Sequence, residues 1–280
     1  MDYPLDLQHT LLHTPRPNIL LLILNRPSTR NSLTSTAQHE LEKLLLWYDR
    51  HPDLRCAIIT GAGSSFCAGG DLHEWHRRSQ TPLGSVDILP RRGFGGLSRR
   101  FGKKPVIAAV NGPAVGGGFE LLMGVDLIVA AETAVFALPE VKSGHLAYSG
   151  SLPRLMKNVG RVRAMQMALL GDAITAERAY QWGLVNEVVA QGQCTEDDVL
   201  KRPVVVRAVE YAERIVMNSP DSVVLSRAGI LLGHEHGSSE AASWLLRDLV
   251  DQGFDESPNF QEGVSAFVEK RKPVWRPSKI

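Results

Sequence analysis

The chain has 280 residues, a formal net charge of +1, 44% hydrophobic and 22% charged residues. These values fit an ordinary globular protein and exclude a low-hydrophobicity disordered chain. Near-neutral charge without a basic–aromatic stripe gives no footprint for nucleic acid. The three cysteines, Cys56, Cys67 and Cys194, supply no disulfide framework and point to a reducing compartment.

The N-terminal MDYPLDLQHT lacks a charged-then-apolar leader pattern, and no membrane association is expected. The first element is Ile19–Asn25 (ILLLILN), an apolar run too short to span a bilayer and closed by Arg26-Pro27, which reads as a buried strand. A helix follows. Leu33, Ala37, Leu41, Leu44 and Tyr48 recur at spacings of four, four, three and four, with Asn31, Ser32 and Thr34 as candidate N-caps. Further strands are expected over Arg55–Thr60, Pro105–Val110 and Asp126–Ala131. Arg91-Arg92 and Arg99-Arg100 read as a solvated basic stretch. Strand–helix alternation with short apolar strands predicts an α/β fold with parallel pairing. Gly192–Pro203 reads as a linker, and helical faces follow at Ala242, Leu245, Leu246 and Leu249, then at Val264, Phe267 and Val268. This tail is expected to pack onto the core or onto another subunit.

Two glycine-rich loops follow expected strands: Ser65-Phe66-Cys67-Ala68-Gly69-Gly70-Asp71-Leu72, and Asn111-Gly112-Pro113-Ala114-Val115-Gly116-Gly117-Gly118-Phe119-Glu120. Glycines let a backbone approach a ligand and present N–H groups to it, so such turns bind phosphate or an oxyanion; tight packing accounts for glycines equally well. Neither loop is a P-loop or a dinucleotide fingerprint. No His/Cys cluster has metal-ligand spacing.

Together with Lys104–Glu120 and Phe136-Ala137-Leu138-Pro139-Glu140, the first loop resembles the signature segments of the enoyl-CoA hydratase/isomerase (crotonase) family, in order and at family-like spacing. The resemblance runs from about Ile19 to Lys272. It implies a crotonase-like spiral of repeated strand–strand–helix (ββα) units over residues 1–195, followed by a C-terminal helical oligomerisation (trimerisation) region over residues 196–280. It also implies reversible addition of water to a 2-enoyl-CoA. The N–H groups of Gly70 and Gly117 would form an oxyanion hole, and Glu120 and Glu140 would be the catalytic carboxylates. Arg30, Ala68, Gly70, Asp71, Leu72, Gly117, Tyr148, Phe267 and Lys270 would contact the acyl group or coenzyme A. No cofactor is implied, because coenzyme A is part of the substrate, and the expected assembly is a homotrimer or homohexamer. His145 reads as an ordinary loop histidine and Cys67 as a packing residue.

The resemblance falters after Glu140. Where the family has Pro-Gly-x-Gly-Gly-Thr-Gln-Arg-Leu, this chain has Ala147-Tyr148-Ser149-Gly150-Ser151-Leu152-Pro153-Arg154-Leu155. The glycine replaced by Tyr148 is the one whose N–H helps to position the attacking water in the family. This leaves isomerase, decarboxylase or lyase chemistry on a CoA thioester as the alternative, with a non-catalytic CoA-ester or RNA-binding protein behind it. The resemblance also places residues 80–97 over the acyl pocket. Ser278-Lys279-Ile280 is close to the peroxisomal Ser-Lys-Leu address, so peroxisomal localisation is expected, otherwise cytoplasmic.

Overall fold

The computed structural model describes residues 7–80, 89–190 and 198–280. Cys194, part of the 80–97 segment and part of the Gly192–Pro203 linker therefore lie outside the described residues.

A six-stranded sheet runs in the order β1 (Thr10–Arg16), β2 (Ile19–Leu24), β3 (Cys56–Gly61), β4 (Val106–Val110), β6 (Leu127–Ala131) and β9 (Glu187–Val189). All neighbours are parallel except the β1–β2 hairpin, whose turn holds Asn18 at a φ of 66°. A second sheet of β5 (Ala114–Val115), β7 (Val135–Ala137) and β8 (Ile174–Thr175) lies beside it. The four strands expected from the apolar runs are present, with ends shifted by one residue.

Strand alternation splits the core in two. Leu20, Leu22, Leu24, Ala57, Ile59, Val106 and Ala108 join the main core with α1 (Ser35–Arg50), which contributes Leu41, Leu44, Leu45 and Tyr48. Ile19, Leu21, Ile23, Ile58, Ile107 and Val129 face the other way, onto Val204, Val205, Ala208 and Ala212 of α7 (Pro203–Val216). A strand covered on both faces loses the polar–apolar alternation of a half-exposed strand, which explains the continuous run ILLLIL. The first tail helix therefore packs onto the core. Beyond it α8 (Pro220–Glu235), α9 (Ser239–Val250) and α10 (Pro258–Val268) leave Ile230, Trp244, Val264 and Phe267 exposed. Among the described residues no helix is long and apolar enough to cross a membrane.

Two expectations need correction. Thr34 alone caps α1, its side chain accepting from the Ala37 N–H; Asn31 and Ser32 belong to the preceding turn. The basic stretch is not uniformly solvated: Arg100 is buried and pairs with Asp49 at 2.5 Å, because its guanidinium also ties to the Lys104 carbonyl beneath the chain.

Asn31 shows how the sheet positions the first glycine loop. It is fully buried in a left-handed conformation (φ 56°), one that asparagine tolerates better than most residues. Its Oδ1 accepts from the Arg26 N–H at 2.9 Å, and its Nδ2 donates to the carbonyls of Ala62 and Ser65, both at 2.8 Å. Asn31→Ala leaves buried groups unpaired at roughly 1–3 kcal/mol each and adds left-handed strain. We expect a loss of about 3 kcal/mol, read as a lower urea midpoint at unchanged m value.

Candidate active site

Three loops leaving the sheets converge on one cavity of about 110 Å³. The first leaves β3 and passes in extended form between Arg30–Leu33 and β5. Leu33 N–H donates to the Gly69 carbonyl at 2.8 Å and Asp71 N–H to the Leu33 carbonyl at 3.1 Å. The N–H of Gly70, between these two bonds, points away from that ladder. Gly69 has a φ of +92°, and a Cβ there would sit 2.9 Å from the Val115 carbonyl oxygen and 3.0 Å from the Gly117 nitrogen. Only glycine lets the two loops touch here. The second loop gives Gly117 as the first residue of α3 (Gly117–Leu122), where an N–H has no partner within the helix. A Cβ on the next residue, Gly118, would meet the Cys67 carbonyl at 2.1 Å. The outcome is two N–H groups, Gly70 and Gly117, without acceptors among the described residues, on loops packed together.

Glu120, one turn into α3, is 4% exposed and lines the cavity. Its Oε1 accepts from the Ser149 N–H at 2.9 Å and from the Ser151 hydroxyl at 2.7 Å. Ser149 is itself held, its carbonyl accepting from the Ser98 hydroxyl at 2.7 Å, while Ser98 Oγ accepts from the Phe94 N–H at 2.8 Å. Glu140 comes from the third loop, a single 3-10 turn at Pro139–Ser143 after β7. Its Oε2 is buried and without a partner among the described residues. Burial raises the pKa of both carboxyls, and the charge of Glu140 raises Glu120 further against the opposing bonds from Ser151 and Ser149. Two desolvated acids and two bare N–H groups in one cavity form an arrangement that holds a carbonyl oxygen as it gains charge and moves protons beside it.

The cavity wall contains Ala68, Gly70, Leu72, Gly117, Glu120, Glu140 and Tyr148 of the sequence-identified residues. Tyr148 stands at the rim, 58% exposed. The N–H that reaches Glu120 comes from Ser149, the residue after it. Arg30 does not line the cavity; its carbonyl accepts the Ala68 N–H at 2.9 Å and so holds the loop. Asp71 is turned away and paired with Arg26 at 3.1 Å. Phe267 and Lys270 lie outside the cavity of this chain, with Phe267 85% exposed on α10. Cys67 packs, as expected: burial pushes its thiol up to about 12, so it stays protonated at neutral pH.

Sequence reading passed over Trp75, Phe94, Ser98, Ser149 and Ser151, and took His145 for an ordinary loop residue, whereas it lines the cavity. Trp75 projects from α2 (Leu72–Ser79) over Gly70, on a helix tied to α1 through Glu74, which accepts from the Ser35 N–H and hydroxyl, both at 2.8 Å. Only Ser151 left a signal, as a hydroxyl standing at a family glycine in the altered run. A larger cavity, about 510 Å³, lies between the end of α1, residues 101–105 and the C-terminal Ser278–Ile280. Its polar groups are mainly cationic side chains, with no carboxylate pair, so the smaller cavity carries the chemistry.

The fold and this site suit an enzyme that holds a carbonyl oxygen and moves protons beside it. A family model described as enoyl-CoA hydratase/isomerase matches residues 15–278. The chain is 46% identical to the mevalonyl-coenzyme A hydratase of Aspergillus fumigatus, over 98% of its length and 97% of that protein. It is 35% identical to the carnitinyl-CoA dehydratase of Escherichia coli O157:H7, over 95% of its length and 98% of that protein. The crystal structure of an enoyl-CoA hydratase from Mycobacterium tuberculosis superposes with a TM-score of 0.84 at 33% identity, covering 96% and 99% of the two chains. The chain belongs to the enoyl-CoA hydratase/isomerase family, has the crotonase fold, and acts on an enoyl thioester of coenzyme A by hydration.

The upward shifts of the two glutamates have a stability consequence. A carboxyl whose folded pKa exceeds its unfolded value costs stability because the unfolded chain ionises more readily, so the cost is absent below the unfolded value, grows as pH rises between the two and is complete above the folded one. Glu140→Gln removes one such group and relieves Glu120. We expect the variant to be more stable than wild type at neutral pH, with the difference vanishing below about pH 4. Paired urea titrations across that range check this; an equal difference at both ends would contradict it.

Proposed function

We propose that the chain catalyses reversible hydration of a short, β-methylated 2-enoyl-CoA carrying a δ-hydroxyl, the dehydration product of mevalonyl-CoA. The observation that carries the reading is the coincidence of the paired glutamates with full-length likeness to proteins named for that substrate, at 46% and 43% identity, against 35% for the carnitinyl-CoA dehydratase.

The thioester carbonyl oxygen sits between the N–H groups of Gly70 and Gly117, each worth about 3 kcal/mol as the enolate forms. Glu120, whose Oε1 is fixed by two donors that favour its ionised form, takes a proton from the water that attacks the β-carbon. Glu140, with a bare Oε2, holds the proton that passes to the α-carbon. Dehydration runs the same steps backwards: Glu140 removes the α-proton and Glu120 protonates the departing β-hydroxyl. Ala68, Leu72 and Tyr148 flank the acyl group and pantetheine arm. Arg30 and Asp71 support the loop from outside, and Phe267 and Lys270 serve a neighbouring copy. That assignment belongs with a homotrimer or homohexamer built through residues 196–280, whose exposed apolar helix faces support it. Ser278-Lys279-Ile280 is proposed as a peroxisomal address.

Glu120→Gln and Glu140→Gln should each lower kcat by roughly 10²–10⁴-fold, followed as loss or gain of the conjugated-thioester absorbance. Near wild-type turnover in either variant would remove that residue from the mechanism. Light scattering on a sizing column should return three or six times the 30.7 kDa chain mass; a monomer would defeat the assembly. A fluorescent fusion should leave peroxisomes when the last three residues are deleted, and a fusion that never enters them would dismiss the address.

A further inference from the structure

The wall beyond Glu140 contains polar atoms that the hydration steps leave unused. Trp75, Ser143, His145 and Tyr148 line the cavity there. His145 is brought beside the catalytic turn because its own N–H donates to the Glu140 carbonyl at 2.9 Å. Its ring lies against Trp75, with centroids 5.3 Å apart at 54°. Trp75 in turn covers Gly70, its indole Cζ2 lying 3.2 Å from where a Cβ of that glycine would be. The pair Trp75–His145 thus spans the cavity from the oxyanion glycine to the turn of Glu140.

A hydrogen bond fixes how the imidazole presents itself. His145 Nδ1 lies 3.0 Å from the Ser143 Oγ, and Ser143 is in turn held on the turn of Glu140, its hydroxyl 3.2 Å from the Glu140 carbonyl. Nδ1 is thereby engaged, and Nε2 has no partner among the described residues. A ring nitrogen on an aromatic wall suits an alkyl chain that ends in a hydroxyl, since the chain packs on the indole and a hydroxyl both donates and accepts, matching either form of the neutral imidazole.

We infer that His145 is a specificity-determining residue whose Nε2 forms a hydrogen bond with the δ-hydroxyl of the acyl chain, with Ser143 as the positioning residue that holds the ring through Nδ1. The inference rests on the reading of a δ-hydroxylated substrate. It does not depend on the roles of the two glutamates.

The test compares kcat/KM for two thioesters that differ in one atom, the δ-hydroxy-β-methyl-2-enoyl-CoA and its deoxy analogue. Wild type should prefer the hydroxylated ester by about tenfold or more, the size expected for one such hydrogen bond. His145→Phe keeps a ring against Trp75 but has no acceptor, and should bring the ratio close to one. His145→Gln restores an acceptor and should recover part of the preference. Ser143→Ala should reduce the ratio and Ser143→Thr should retain it. A His145→Phe enzyme that discriminates as wild type does overturns the inference while leaving the substrate reading intact. A wild-type ratio near one overturns both. Should His145→Phe fail to fold, Ser143→Ala decides, an unchanged ratio overturning the inference.

Discussion

Burial of Glu120 beside Glu140 is the constraint that organises the site. Each carboxyl is costly to desolvate, and the charge on one makes ionisation of the other costlier still. The protein sustains this because the surroundings are fixed independently of the pair. A sheet buried on both faces supplies the rigid floor. The glycine loops leave the ends of its strands, and the loops are tied to one another by Cys67, Gly69, Arg30 and Leu33 rather than by the acids themselves. Preorganised N–H groups need no rearrangement as charge develops on a bound carbonyl, which is where electrostatic catalysis obtains most of its effect.

The two glutamates are chemically alike and structurally unlike. Glu120 sits on a helix, and its Oε1 is the end point of a relay from Phe94 through Ser98 and Ser149. Glu140 sits on one 3-10 turn and keeps an oxygen with no donor. Hydrogen bonds to a carboxylate favour its charge, and a bare buried oxygen favours a proton. The partners therefore make the two carboxyls unequal, and two of these partners, Ser149 and Ser151, belong to the segment where the chain departs from its family pattern.

Legibility of the sequence followed the physics of each feature. Continuous apolar runs announced β2, β3, β4 and β6, because strands buried on both faces must be apolar throughout. The helix α1 showed its 3.6-residue period. The hairpin strand β1 was missed: TLLHTPR is mostly exposed and mixed in character. The two- and three-residue strands of the second sheet are too short to show any period. At the site, the glycines and glutamates that line the cavity were readable from their motifs. Residues that act by touching those, such as Trp75 on Gly70 or Ser98 behind Ser149, were not, since only the fold makes them neighbours. Arg100 read as solvated because a local run of arginines gives no sign of an aspartate 51 residues away.

The replacement of a family glycine by Tyr148 first reads as a threat to the chemistry. The geometry argues otherwise. The donor to Glu120 is the N–H of Ser149, anchored by Ser98, and a hydroxyl from Ser151 reinforces it. Among the described residues Tyr148 makes no bond to either glutamate, and its ring stands at the rim of the cavity. The partners of Glu120 lie in the floor of the cavity and Tyr148 at its rim. The altered run spans both: its serines hold the floor, while Tyr148, with His145 just upstream, shapes the rim. One loop can thus vary at the rim while the floor is held, because the two are made by different residues of that loop.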